Sequence, residues 1–284
     1  MSLMLFYTFC CLACTTVNDL LFKFFARKER SRGMFVSAVG VTGTLLMAFM
    51  PDKIGDNWKM TLLWGVICGI MSAVGNILLI ESMTTLSAGV CSTIYRLNLA
   101  LVVPCSVFFL HEKLNSLQYL GVALAIAAVI FFLPFEKGEK KDRKKLFIPM
   151  IMIITASVFR AALGLSCKYG PMQGASVNGI NFIIEIIWIF SGIAYYFIRE
   201  RNMKFDMKVV KYGATSGVLV AGILYFMLKA LTVDGANASI VLPIAQMSFL
   251  ATFILSVILL KEKVTVQKLI AIACGIGAML LLTR

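Results

Sequence analysis

The chain has 284 residues, 60% of them hydrophobic and only 14% charged, with a net charge of +13. A soluble domain is about half apolar and about a quarter charged, so this composition excludes an ordinary soluble enzyme, a disordered chain and a nucleic-acid-binding domain. The positive charge is no nucleic-acid footprint, because the lysines and arginines stand in short clusters between long apolar runs, where a membrane protein keeps them.

Ten apolar segments follow in chain order, over 3–25, 34–50, 61–83, 87–110, 116–134, 146–169, 175–198, 209–231, 237–260 and 266–283. A spanning helix needs about 20 apolar residues, so ten of them leave only short connectors and no room for a separate soluble domain. The first segment has no Lys or Arg before Lys23. A cleavable signal peptide starts with positive charge, so this run is expected to be a retained helix. Arg27, Lys28, Arg30 and Arg32 close it. Pro51 to Lys59 separates the second and third segments, and Trp58 and Trp64 flank the third as interfacial aromatics do. Glu136 to Lys145 is the most polar stretch and lies near the middle, and Arg199 to Lys211 divides the seventh segment from the eighth. All eight cysteines fall inside apolar segments. Cys11 and Cys14 form a C-x-x-C with no second pair and no nearby His, so they read as small packing residues rather than a metal or redox site.

The chain repeats itself at a shift of 150 positions. Leu110-His111-Glu112-Lys113 falls on Leu260-Lys261-Glu262-Lys263, and Leu78, Ala88, Ile94, Ser106 and Val107 meet the same residue types at Leu228, Ala238, Ile244, Ser256 and Val257. Each half then holds five helices, and an odd number inverts the second half relative to the first. Inverted repeats are common in secondary transporters, with the substrate at the repeat interface near the midplane. The domain reading is one repeat over 1–135, a polar linker over 136–145 and a second repeat over 146–284.

A small-residue helix start recurs at Ser87-Ala88-Gly89 and Asn237-Ala238-Ser239, followed by a long apolar helix, a Leu-x-Glu-Lys turn and a Gly/Ala-rich final helix. This pattern resembles the EamA-like branch of the drug/metabolite transporter superfamily, across essentially the whole chain. The resemblance implies an all-α, ten-helix carrier of two inverted five-helix repeats around a central cavity. It would move small metabolites or drugs by alternating access, as a multi-pass protein of the cell membrane.

Charged groups at membrane depth are costly, so they usually face a cavity and pair. Arg96 sits midway along the fourth segment, with Ser92 on its face and Tyr95 and Asn98 as a second polar pair. The repeat shift puts Gln246 and Ser248 at the counterparts of Arg96 and Asn98, and both helices carry a proline, Pro104 and Pro243. Glu185 lies midway along the seventh segment, near Asn178, Asn181 and Trp188, and Arg160 lies in the sixth. Arg96 and Glu185 are expected to face one central cavity. Arg96, together with Arg160, would attract an anionic group. Glu185 would balance that charge or carry a coupling proton. A structural ion pair between helices is the plainer alternative. Asp19, Lys23 and Lys229 lie toward helix ends and are expected to reach the headgroups.

Glu112 and Glu262 begin short turns and are expected to support folding or gating. Gly121 and Ala125, and Ala271 and Gly275, have small-x-x-x-small spacing, which serves close helix packing or a homodimer through the final helix of each repeat. No phosphate loop, nucleophile elbow or H-E-x-x-H is present, so neither ATP hydrolysis nor enzyme chemistry is expected, and no cofactor is implied. The runner-up is a flippase for a lipid or lipid-linked sugar. Counting Lys and Arg by side puts both termini outside, whereas the resemblance implies both in the cytoplasm.

Overall fold

The computed structural model describes residues 2–26, 30–51, 56–82, 91, 94–96, 98–131, 143–201, 206–260 and 265–283. Eleven helices run through them: α1 Ser2–Ala26, α2 Arg32–Ala48, α3 Trp58–Ser82, α4 Leu99–Phe109, α5 Ser116–Phe131, α6 Arg143–Met172, α7 Val177–Arg199, α8 Met207–Thr232, α9 Ala238–Gln246, α10 Ser248–Leu260 and α11 Val266–Leu282. Five segments, within α1, α3, α6, α7 and α8, are long and apolar enough to cross a membrane. Large apolar side chains such as Phe6, Phe108, Phe190 and Ile258 are exposed, as they are on a protein whose solvent is lipid. The start of the fourth segment, most of the linker, and Lys261 to Val264 with Glu262 lie outside the described residues.

The caps repeat along with the helices. Ser31 and Ser176 begin α2 and α7, each accepting from the backbone N–H three residues on, at 3.1 Å. Asn57 and Asp206 begin α3 and α8 likewise, accepting from the backbone N–H of Met60, three residues on, and of Lys208, two residues on. Such caps satisfy donors that a helix start leaves unpaired. The packing is symmetric under exchange of the halves. The pairs α3–α6 and α1–α8 exchange, as do α2–α8 with α3–α7 and α1–α10 with α4–α6, while α2–α7 and α5–α11 map onto themselves. Equivalent helices meet antiparallel. Gly33 of α2 lies against Gly192 and Tyr196 of α7, and Gly40 against Glu185 and Ile189. Likewise Gly121 of α5 lies against Leu281 and Leu282 of α11, and Gly277 against Leu124. The small residues of the final helices are thus buried inside the chain.

Glu112 does more than begin a turn. From the α4–α5 connection it crosses to the start of α9, where its carboxylate accepts from the backbone N–H of Ala238 at 2.6 Å and Ser239 at 3.0 Å, and from Ser239 Oγ at 2.5 Å. A negative charge at a helix N-terminus meets the positive end of the helix dipole. Lys168 of α6 completes the corner, donating to the carbonyls of Leu231 and Ala236. Replacing Glu112 by Ala strands three buried donors, so Glu112→Ala should cost ~2–3 kcal/mol. Glu112→Gln, which keeps one acceptor, should cost about half as much. Thermal unfolding of detergent-purified protein checks both, and an unchanged Tm for the alanine variant contradicts the tie.

Candidate functional site

The site is built where a helix breaks. Pro243 inside α9 has no N–H to give the preceding turn. Four residues on, the helix is interrupted at Met247: its N–H bonds Ile244 O and its carbonyl takes Leu250 N–H, both at 3.0 Å and both one residue tighter than α-helical. The carbonyl of Gln246 is thereby released from the ladder, and Arg96 takes it, with Nη1 donating at 2.9 Å. The same nitrogen donates to Ser248 Oγ at 3.0 Å. Gln246 and Ser248 are the repeat counterparts of Arg96 and Asn98. A residue bonded to its own counterpart stands beside the axis that relates the halves, so Arg96 is central to both.

The carboxylate that Arg96 meets is Asp19 of α1, in a charge-assisted hydrogen bond. The expectation that Asp19 serves the headgroups is corrected by this contact. Thr252 of α10 adds a weak hydrogen bond to Asp19 at 3.4 Å, and Asn18 accepts from Ser216 of α8 at 2.6 Å. Arg160 of α6 lies over the Tyr95 ring, 5.9 Å from its centroid, and no carboxylate among the described residues is within ion-pair reach of it. Cys11, Thr15, Asn98, Arg160, Leu242 and Gln246 line the adjoining cavity, together with apolar neighbours. Its volume is about 20 Å³, room for about one water. No metabolite fits there in this closed conformation. Asn98 is buried, and its Oδ1 has no hydrogen-bond partner.

The α7 candidates form a second group. Asn181, Glu185 and Trp188 are all buried, but α7 packs against α2, α3 and α8, and none of the three lines the cavity beside Arg96. Glu185 presses against Gly43 of α2, the one residue type that leaves it space. Both carboxylate oxygens of Glu185 and both polar atoms of Asn181 lack partners, as does Thr44 Oγ1 beside Gly43. Trp188 donates to Ser72 Oγ of α3 at 2.9 Å. The structure thus brings five of the eight candidates around the central break and sets the three of α7 on another interface, so the expectation that Glu185 shares a cavity with Arg96 is corrected, while Asp19, expected at the headgroups, joins Arg96. The signal for Asp19 was its helical spacing, one turn after Thr15 and two after Cys11 on one face of α1. A larger groove of about 880 Å³ is lined mostly by apolar residues including Phe108 and Phe109. Both rings are exposed and point to a lipid-facing cleft rather than to the polar centre.

Two half-chains of like helices, with a buried arginine of one beside the helix break of the other, define a polytopic helical membrane protein. The chain belongs to the EamA-like transporter family, whose model matches residues 2–133 and 147–284, in keeping with the drug/metabolite transporter superfamily. It is therefore a membrane transporter by family, and the family is one of transporters rather than enzymes. A solved crystal structure shares the fold with a TM-score of 0.80 and 12% identity, over 99% of this chain and 96% of that one. None of the curated proteins matches the chain by sequence.

Proposed function

We propose that the chain is a secondary carrier for a small anionic metabolite, working by alternating access between two inverted five-helix repeats over 1–135 and 146–284, ten spans in all. The observation that carries this reading is the charge at the centre. Around the break the described residues bring two guanidinium groups, Arg96 and Arg160, and one carboxylate, Asp19, which pairs with Arg96, so one positive charge is left for a ligand to answer. Support for the inverted arrangement comes from the antiparallel meeting of equivalent helices. Arg96 receives the anion, Arg160 adds the second charge, and Tyr95, Asn98 and Gln246 supply neutral hydrogen bonds. A homodimer would use the outward faces of α5 and α11, where Tyr119, Leu120, Ile276 and Leu280 are exposed. A flippase would need a headgroup path from the bilayer to Arg96, and the groove at Phe108 is too apolar to provide one.

Coupling is to a proton or to exchange. Glu185 is the proton carrier of this scheme, its unpartnered carboxylate lying with Asn181 in the α2–α7 interface, and Trp188 fixes α7 against α3. Glu185→Gln, which keeps the shape and removes the ionisable group, should retain exchange in proteoliposomes while losing accumulation driven by a pH gradient. Unaltered gradient-driven accumulation would remove Glu185 from the coupling. Uptake of radiolabelled anions set against uptake of cations and labelled lipid tests the substrate class itself.

A further inference from the structure

We propose that Asp19 is the displaceable counterion of Arg96: an incoming carboxylate, sulfate or phosphate group takes its place on the guanidinium, and Asp19 returns when the anion leaves. The inference rests on the reading of Arg96 as the anion receptor and adds the partner that holds the receptor closed.

The contacts of Arg96 include the Gln246 carbonyl, the Ser248 hydroxyl and Asp19. The Gln246 carbonyl and the Ser248 hydroxyl are neutral and belong to the broken helix itself. Asp19 is charged, and it comes from another element, α1. A guanidinium binds one carboxylate most strongly by presenting its fork to it, so Asp19 and a substrate anion compete for the same face. Asp19 is free to yield. Its side chain is 29% exposed, against 9% for Arg96, so it has surroundings to turn toward while the arginine does not. Its remaining hold is the 3.4 Å bond from Thr252. The face of α1 that carries it continues through Thr15 to Cys11 along the cavity wall. Releasing Asp19 therefore frees the wall that holds the cavity to about 20 Å³.

The exchange of partners also solves a problem of charge. A carrier must change conformation both loaded and empty. A bare arginine at membrane depth makes the empty change costly. With Asp19 on Arg96 in the empty form and the anion there in the loaded form, the guanidinium is paired in both. A carrier without Asp19 would bind the anion more tightly and still exchange it, because exchange needs only the loaded change. It would lose net transport, which needs the empty one.

The experiment uses the full chain in nanodiscs and two probes, radiolabelled lactate and sulfate, each with its charge fixed near neutral pH. Asp19→Asn should bind at least one of them about tenfold more tightly than the wild type, within the usual range for coupling between competing groups. Arg96→Gln should abolish that binding. Thr252→Ala, which only loosens the hold on Asp19, should tighten binding by a smaller factor and serves if Asp19→Asn does not fold. In proteoliposomes Asp19→Asn should exchange the bound probe at a rate near the wild type and show no net efflux. Nanodiscs of phosphatidylcholine with and without phosphatidylglycerol separate the two sources of anion. Tightening by soluble probes in both lipids marks a metabolite. Loss of that tightening only where phosphatidylglycerol is present marks a headgroup on Arg96, competing as Asp19 does. Equal binding, or none, in the wild type and both α1–α10 variants overturns the proposal. Binding that survives Arg96→Gln overturns instead the reading of Arg96 beneath it.

Discussion

Arg96→Ala should lower anion uptake by about 100-fold or more, the largest functional effect expected of any single substitution. Truncating a buried, hydrogen-bonded charge at a binding site costs ~2–5 kcal/mol, and each 1.4 kcal/mol is about tenfold. The substitution also leaves the Gln246 carbonyl and the Asp19 carboxylate without the group that satisfies both. Lysine is no substitute, since an ammonium is a point charge without the fork; Arg96→Lys should recover folding but only a small part of uptake. The comparison separates a binding role from a purely structural one. If Arg96 served only to hold α1 against α10, the lysine variant would transport nearly as well as the wild type. Uptake assays in proteoliposomes, on protein that elutes as a single species, read the difference.

Gly40→Leu should have the largest effect on stability. A Cβ at this position would stand 2.6 Å from the backbone N of Ile189 and 2.8 Å from the carbonyl of Glu185. The obstacle is the backbone of a helix, not the end of a flexible side chain, so α2 and α7 must part. Overpacking costs ~1–3 kcal/mol and occasionally more, and here the upper end is expected. The interface cannot give elsewhere, because Gly213 and Gly217 of α8 press the opposite side of α2, against Phe35, Ala38, Val39 and Thr42. Close backbone approach of this kind replaces, in a membrane, much of what apolar burial supplies in water. Fluorescence-detected unfolding would show a large fall in Tm or no folded protein at all. A variant as stable as the wild type would mean that the two helices are not held at this distance.

Much of the fold was legible because lipid imposes a simple code. Runs of about twenty apolar residues bounded by charge mark helices with little ambiguity. The expected segments 3–25, 146–169 and 209–231 lie within α1, α6 and α8. The repeat was legible because the Leu-x-Glu-Lys turn survives in both halves. Its reason was not. Glu112 reaches α9, which begins 126 residues later in the chain, and nothing local to the turn announces so distant a partner. The glycines show the same limit. Small-x-x-x-small spacing drew attention to the final helices, yet the same spacing at Gly213 and Gly217 marks the face on α2. Spacing identifies a smooth face and does not say which helix will cover it.

The site divides in the same way. Arg96 and Gln246 were readable as counterparts, and Pro243 signalled a disturbed helix. That the disturbance would free the Gln246 carbonyl for Arg96 depends on where the break falls, at Met247. Glu185 was chosen as the partner because it is the carboxylate deepest in its segment. In the structure it belongs to the α2–α7 interface, where Gly43 makes room for it. Asp19 was passed over for lying nearer a helix end. Tertiary packing, rather than depth in a segment, decides which carboxylate reaches the arginine.

Counterflow is the most direct test of the central claim, that the chain is a carrier for a soluble anion. Proteoliposomes are loaded with unlabelled anion, diluted into a trace of the labelled one, and given no ATP and no ion gradient. The account predicts transient accumulation of label in wild-type vesicles, against its own gradient, and none with Arg96→Ala. Label that never exceeds its equilibrium level for any anion, while labelled lipid crosses the bilayer in the same vesicles, would contradict it.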